Sequence, residues 1–324
     1  TYRTYILNVS KNFTQSGGTF GHNNDYSDAR LTIVFKGDGY SFTKSGGAIE
    51  DSYMNWELNT SGTFTLNSDF TLVSQRTFTL SNGTLGISSG KSLSINGYLD
   101  CKHSIISGSG NFSLNSNSTI ATKNVDGLKE IEESGAIQVT GTRKYDEEAN
   151  YIFNGISEQI IGDAFGQCNN ITIDNSAGVK LGNSFLVSGT LYMTNGNLDR
   201  NGNVLIYSST ATLNYNGTNS RTTTNAELPS SSGPKNLIIS NNTGVTLHAN
   251  RTIAYSVYVS GVFDMSSYTI SGGADFSIYG TIKTSKSSGL SGNITTTGTN
   301  YYSTTAKYVF YGSETNQVTG HSFT

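Results

Sequence analysis

The residues best suited to chemistry are few and scattered. The loop HNNDYSD at 22–28 gathers Asn23, Asn24, Asp25 and Asp28 between glycine-flanked ends. That concentration of oxygen donors makes Asp25 and Asp28 the best candidates for a calcium site, although their spacing is neither that of an EF-hand nor of a nonapeptide calcium repeat. Other acids cluster as Glu50 and Asp51, as Glu130, Glu132 and Glu133, and as Asp146, Glu147 and Glu148. Cleaving a glycosidic bond takes two carboxylates facing each other across the substrate. No such facing pair repeats or stands beside arginine and aromatic partners in a way the sequence can show, so these clusters read as solvated loop acids.

Histidine and cysteine add little. His22, His103, His248 and His321 have no second histidine or cysteine at metal-ligand spacing and read as surface residues. Cys101 and Cys168 lack a CxxC companion, and the reading is two isolated small side chains rather than a disulfide or metal pair. There is no GxSxG elbow, no P-loop and no GxGxxG opening a helix; GSGNFS at 108–113 leads into a strand. No catalytic residue and no cofactor is therefore expected.

Tyrosine is the suggestive excess, with 19 residues. Tyr301, Tyr302, Tyr308 and Tyr311 cluster near the end, and Tyr255, Tyr258, Tyr268 and Tyr279 precede them. Many serve strand propensity. An outer row of aromatic rings among Asn and Thr also suits sugars or a second copy of the chain, and Tyr255, Tyr258, Tyr301, Tyr302 and Tyr311 are the candidate surface contacts.

Those residues must be positioned by something, and the stretch 169–193, NNITIDNSAGVKLGNSFLVSGTLYM, shows what it is. Ile171-Thr172-Ile173, Val179-Lys180-Leu181, Phe185-Leu186-Val187 and Leu191-Tyr192-Met193 are each apolar at positions one and three, the alternation of a strand. KNLIISNNTGVTL at 235–247 repeats 169–181 without a gap, and 135–162 is similar to 292–320. Two repeated blocks argue for a repeat architecture. Between 64 and 120, triplets begin at or near Phe64, Phe70, Phe78, Leu85, Leu93, Tyr98, Ile105, Phe112 and Ile120, eight steps in 56 residues or 7 per step. That is too short for helices. Regular hairpins need Asn-Gly or Asp-Gly turns; Asn-Gly does occur, as at 82, 96, 195, 201 and 216, but many steps have SGSG, NSN or SSG corners instead.

Three steps make one coil of about 20 residues, so the expected fold is all-β: a right-handed parallel β-helix, or β-solenoid, preferred over a sandwich or meander. Residues 1–324 read as one continuous array of about 15 coils, a rod of about 70 Å. The aromatic-glycine tripeptides beginning at Phe35, Phe153, Tyr215 and Phe310 are expected to open units, at irregular intervals of 118, 62 and 95 residues. The charged stretch Lys123–Glu133, a helical turn or two at most, aligns with Lys283–Leu290 and reads as a decorated corner. Inward Ile, Val, Leu and Phe should form apolar columns, and corner Asn should hydrogen-bond along the stack.

Composition agrees. Charged residues are 13% against 35% apolar, and the only prolines are Pro229 and Pro234, leaving strands free to pair. A net charge of −3 gives no electrostatic reason to expect nucleic acid, and no apolar run is long enough for membrane insertion. The start TYRTYILNVSKNFTQSGG has no signal-peptide pattern and reads as mid-repeat, so the chain is expected to be a fragment of a longer protein.

NNITIDNSAGVKL with SFLVSGTLYMTNGNL, and GAIQVTGTRKYDEEANYIFNG, resemble the repeats of large secreted and cell-surface β-helix proteins of Bacteroidota. The resemblance runs from about residue 31 and is strongest after 135. It implies an adhesin-like protein, extracellular or at the cell surface, exported by the type IX secretion machinery through a sorting domain that this sequence lacks. It carries no catalytic signature. The expected function is a stiff, non-enzymatic stalk displaying weak binding surfaces toward glycans or neighbouring copies. The alternatives are a carbohydrate-active β-helix enzyme and a subunit of an extracellular fibre.

Overall fold

The computed structural model describes residues 3–21, 29–50, 52–131, 133–313 and 317–319. The chain divides into two compact units, 1–169 and 170–324. Each is a β-solenoid of parallel strands, with coils recurring about every 22 residues and about 14 of them in the chain.

In the first unit, one face is built by Arg3–Val9, Ala29–Phe35, the start of Met54–Leu66, the start of Thr77–Ile87, Tyr98–Asp100, Thr119–Thr122 and Asn150–Phe153, each pairing in parallel with the next. The register sets Ile33, Trp56, Phe78, Leu99, Ile120 and Tyr151 directly above one another, all buried. A second face stacks Phe64, Leu85, Ile106 and Ile137; a third stacks Phe70, Leu93 and Phe112. The seven-residue steps of 64–120 thus visit the three faces in rotation. Each buried side chain contributes about 1.5–3 kcal/mol, and it does so only because the coils above and below close over it.

Corners are held by Asn, as expected, and by Asp as well. Side-chain oxygens of Asn12, Asp38, Asn55, Asp69 and Asn111 accept the backbone N–H of Ser41, Thr63, Thr77, Ser92 and Thr142, one coil further on, at 2.9–3.0 Å. Asn170, Asn250 and Asp275 do the same for Thr190, Thr269 and Thr299 in the second unit. A corner N–H that points along the stack has no ladder partner, and a short side chain from the coil before supplies one. Asn115 also donates to Asn96 at 2.8 Å and Ser113 to Ser94 at 3.3 Å, so the polar ladders run outside the apolar columns.

The aromatic-glycine tripeptides close strands instead of opening units: Ala29–Phe35, Asn150–Phe153, Thr212–Tyr215 and Lys307–Phe310 all end on the aromatic. In the second unit, Tyr215 pairs with Ile239 on one face, whereas Phe310 pairs with Thr284 on another. Their spacing is therefore not a whole number of coils. The glycine serves close approach, since a Cβ at Gly217 would lie 1.9 Å from the Thr194 carbonyl oxygen. After two of these glycines a glutamine closes the corner. Gly155 N–H donates to Gln159 Oε1, whose amide donates to the carbonyls of Thr122 and Asn124. Gly312, Gln317, Thr284 and Lys286 repeat the arrangement.

The stretch around Lys123–Glu133 is a decorated corner, but it contains no helix among its described residues. Leu99 and Ile120 are 21 residues apart in register, Ile120 and Tyr151 are 31 apart, and the strands on either side keep their pairing. The ten extra residues leave the stack, with Leu128 tucked in and bridged to Gly162. The matching corner of the second unit carries the short helix Leu290–Asn293.

Replacing the stacked Leu99 with Ala should cost about 3 kcal/mol through the cavity left between two coils. Asn111→Ala should cost about 1 kcal/mol for the orphaned Thr142 N–H, and the outward Thr71→Ala under about 0.5 kcal/mol. Urea unfolding midpoints would read this order.

Candidate binding surface

In the second unit the strands Ser256–Val259, Asp275–Ile278 and Asn300–Tyr302 lie side by side, parallel and in register. Alternation sends Val257, Val259, Phe276 and Ile278 into the core and leaves Tyr258, Ser277 and Tyr301 outward in one column. The small Ser277 leaves a gap one coil high. Tyr279, just past the end of the middle strand, fills it: its ring centroid is 5.3 Å from that of Tyr258 and 5.3 Å from that of Tyr301, tilted by 39° and 38°. The three side chains form a continuous aromatic row and remain 41%, 46% and 50% exposed. Among the described residues none hydrogen-bonds their phenol hydroxyls. Beside the row stand Ser256, which donates to Asn236, and Asp275. Aromatic rings with unengaged hydroxyls and polar neighbours offer contacts to both the C–H faces and the hydroxyls of sugars.

The five tyrosines singled out in the sequence separate. Tyr258 and Tyr301 belong to the row. Tyr255 is exposed at the start of the same strand region, its N–H held by the Lys235 carbonyl. Tyr311 is exposed elsewhere, donating to Asp264 Oδ1 at 2.8 Å, with Lys283 over its ring and 3.5 Å from Asp264. Tyr302 is a correction: it pairs with Ile278 and shares that residue's inward direction, and burial pushes its pKa up to about 12. Its neighbour Tyr301 takes the outward place because strand alternation allows only one of two adjacent residues to do so. Tyr279 completes the row from outside the strand. The gap at Ser277 is the signal for it, and only the register reveals that gap.

Asp25 and Asp28, the calcium candidates, lie outside the described residues, as do His22, His321 and Glu132. Among the described residues no group of three or more His, Cys, Asp or Glu side chains is placed to hold a metal ion. Cys101 and Cys168 are buried and in no disulfide, and burial raises both pKa values.

Sequence reasoning passed over a dense polar cluster, which forms where residues 223–228 cross the second unit. Glu227 is fully buried. Its carboxylate accepts from the Tyr215 hydroxyl at 2.9 Å, the Thr224 N–H at 2.8 Å and the Thr224 hydroxyl, and its carbonyl accepts from Tyr207 at 2.6 Å. The pKa values of Tyr207 and Tyr215 are pushed well up, by burial first and by Glu227 second. Arg251 donates to the Leu228 carbonyl at 2.7 Å and to Asn225 Oδ1 at 2.5 Å, and it also contacts the His248 ring. His248 is bonded to Thr223 at 2.6 Å and Asn225 at 3.2 Å. Thus His248 is not an ordinary surface histidine: it helps fasten a segment. The carboxylate of Glu227 is thus engaged by two hydroxyls and one N–H.

Burial, and then the Arg251 charge, lower the His248 pKa below its usual value near 6.5. The unfolded chain therefore binds the proton more readily, and the stability held above about pH 6.5 should be lost as pH falls through that value toward the folded pKa. Thermal midpoints between pH 7.5 and pH 5 should fall less in His248→Gln than in the parent; equal slopes would contradict this assignment. Compared with known proteins, the chain matches no protein-family profile, no curated protein and no solved structure.

Proposed function

We propose that this chain is a non-enzymatic structural segment of a secreted or cell-surface adhesin, in which a stack of repeated coils displays weak binding surfaces, and that the Tyr258–Tyr279–Tyr301 row is one such surface, directed at glycan chains. The observation that carries the reading is the row itself: three exposed rings at a regular 5.3 Å spacing with unengaged hydroxyls. A contiguous row of exposed aromatic rings rimmed by polar residues is the kind of patch that marks an interaction site. Each would give a weak contact with a sugar ring, and several contacts on one chain multiply through effective concentration. The row runs from coil to coil, so a linear polysaccharide lying along it meets one ring per coil. Export to the cell surface fits the repeat resemblance, and the type IX machinery would be a partner only during secretion.

Affinity electrophoresis in gels containing soluble polysaccharides would test the reading. At least one polysaccharide should retard the parent chain. The Tyr258→Ala/Tyr301→Ala variant should bind about tenfold more weakly, the equivalent of about 1.4 kcal/mol, with Tyr311→Ala close to the parent. Unaltered retardation in the double variant, or no retardation of the parent by any polysaccharide, would defeat the proposal.

A further inference from the structure

Leu205–Tyr207 and Arg251–Thr252 are the end strands of two separate sheets in the second unit, and residues 224–234 lie between them. The chain's only prolines, Pro229 and Pro234, deny this segment two of the N–H groups that a ladder would use. Backbone bonds to other coils hold its ends, Thr223 to the Thr246 carbonyl and Lys235 to the Ala211 carbonyl, both at 2.9 Å. Among the described residues no backbone–backbone bond joins 224–234 to another coil. Side chains hold it instead: Arg200 donates to the Ala226 carbonyl at 3.1 Å, the Tyr207 and Tyr215 hydroxyls donate to Glu227, and Arg251 donates to the Leu228 carbonyl and to Asn225. Clefts of about 330 and 300 Å³ flank its loop at 230–232, against Val204 on one side and Thr252 on the other. A segment without ladder bonds is the part of such a wall that opens at least cost.

We propose that residues 224–234 are an acid-released strap, unfastened when His248 takes up a proton while the ladders on both sides stay closed. The latch is the contact between His248 Nε2 and the Arg251 guanidinium. A guanidinium only donates, so Nε2 must offer its lone pair, which makes the ring neutral with its hydrogen on Nδ1, 2.6 Å from the Thr223 hydroxyl. A second proton turns Nε2 into a donor. Two donors of like charge then meet, and both compete for Asn225 Oδ1, 3.2 Å from the ring and 2.5 Å from Arg251. Arg251 cannot retreat without leaving the Leu228 carbonyl, which its Nε holds at 2.7 Å. The charges facing His248 are Arg251, which opposes the proton, and Glu227, which favours it; burial and Arg251 together outweigh Glu227. Tyr207 and Tyr215, beyond Glu227, stay neutral. The preceding coil adds Arg200, bonded to Ala226, and the next corner, 265–269, holds no charged residue.

Hydrogen exchange of the full chain, read by mass spectrometry at about pH 7.5 and pH 5.5 and corrected for the intrinsic rate at each, tests the latch. Peptides covering 224–234 should lose about tenfold in protection at the lower pH, while those covering Asn236–Ile239 and Ser256–Val259 keep theirs. In His248→Gln, whose amide oxygen still accepts from Arg251 but takes no proton, the strap should exchange alike at both pH values. Arg251→Met, which removes the clasp, should expose the strap at both. A measurement on the parent alone guards against a variant that does not fold. Its loss of strap protection should set in as pH falls below about 6.5 and level off at the lower pH where NMR shows the folded His248 ring titrating. Strap protection unchanged in the parent, an equal acid loss in His248→Gln, or a loss spread evenly over the neighbouring strands would overturn the inference.

Discussion

Everything in this molecule depends on one constraint: each coil must sit in register on the coil before it. A strand of three or four residues has too little area to be stable alone, and a coil made of three such strands cannot enclose its own apolar side chains. Stacking resolves both problems at once. Parallel ladders satisfy the backbone, and the same register places Trp56 between Ile33 and Phe78 and Leu85 between Phe64 and Ile106. A slip of one residue would turn each of these side chains outward.

The register survives interruption because the interruptions are confined to corners. The ten residues added after Thr122 leave and return without disturbing the pairing of the three strands that follow. The corners in turn are fixed by polar side chains reaching to the neighbouring coil, such as Asn55 to Thr77 or Gln159 to Thr122 and Asn124. Where residues 223–228 replace a regular strand, a larger network around Glu227, His248 and Arg251 does the same work. Burying that carboxylate is tolerable only because three donors meet it. Function, in this account, is what such a stack leaves on its outside.

Much of the fold was legible in the sequence because period-two alternation and seven-residue steps are properties of the chain itself. Phe64, Phe70 and Phe78 announce three faces without any knowledge of their partners. The corner role of asparagine was legible for the same reason. What escaped depends on contacts between coils. Tyr301 and Tyr302 are indistinguishable in sequence until the pairing with Ser277 and Ile278 is known. Tyr279 joins the row only because Ser277 is small and lies between two outward tyrosines. Glu227 carries no signal in the sequence, since its partners Tyr215 and Tyr207 lie 12 and 20 residues away. The tripeptides at Phe153, Tyr215 and Phe310 were recognised as repeats, but their role as strand ends follows from glycine packing on the preceding coil.

The register itself can be measured with cysteine pairs. Ser94 and Ser113 face outward on adjacent coils, paired in register with hydroxyls 3.3 Å apart. Strands about 4.8 Å apart lie within reach of a disulfide. Thr71 and Ser113 occupy the same outward column with Ser94 between them, about two strand spacings apart. Under mild oxidation the Ser94→Cys/Ser113→Cys chain should cross-link nearly completely and the Thr71→Cys/Ser113→Cys chain hardly at all, both read as the loss of free thiols. Cross-linking of the distant pair in preference to the adjacent one, or of neither, would contradict the stacked coil on which the whole account rests.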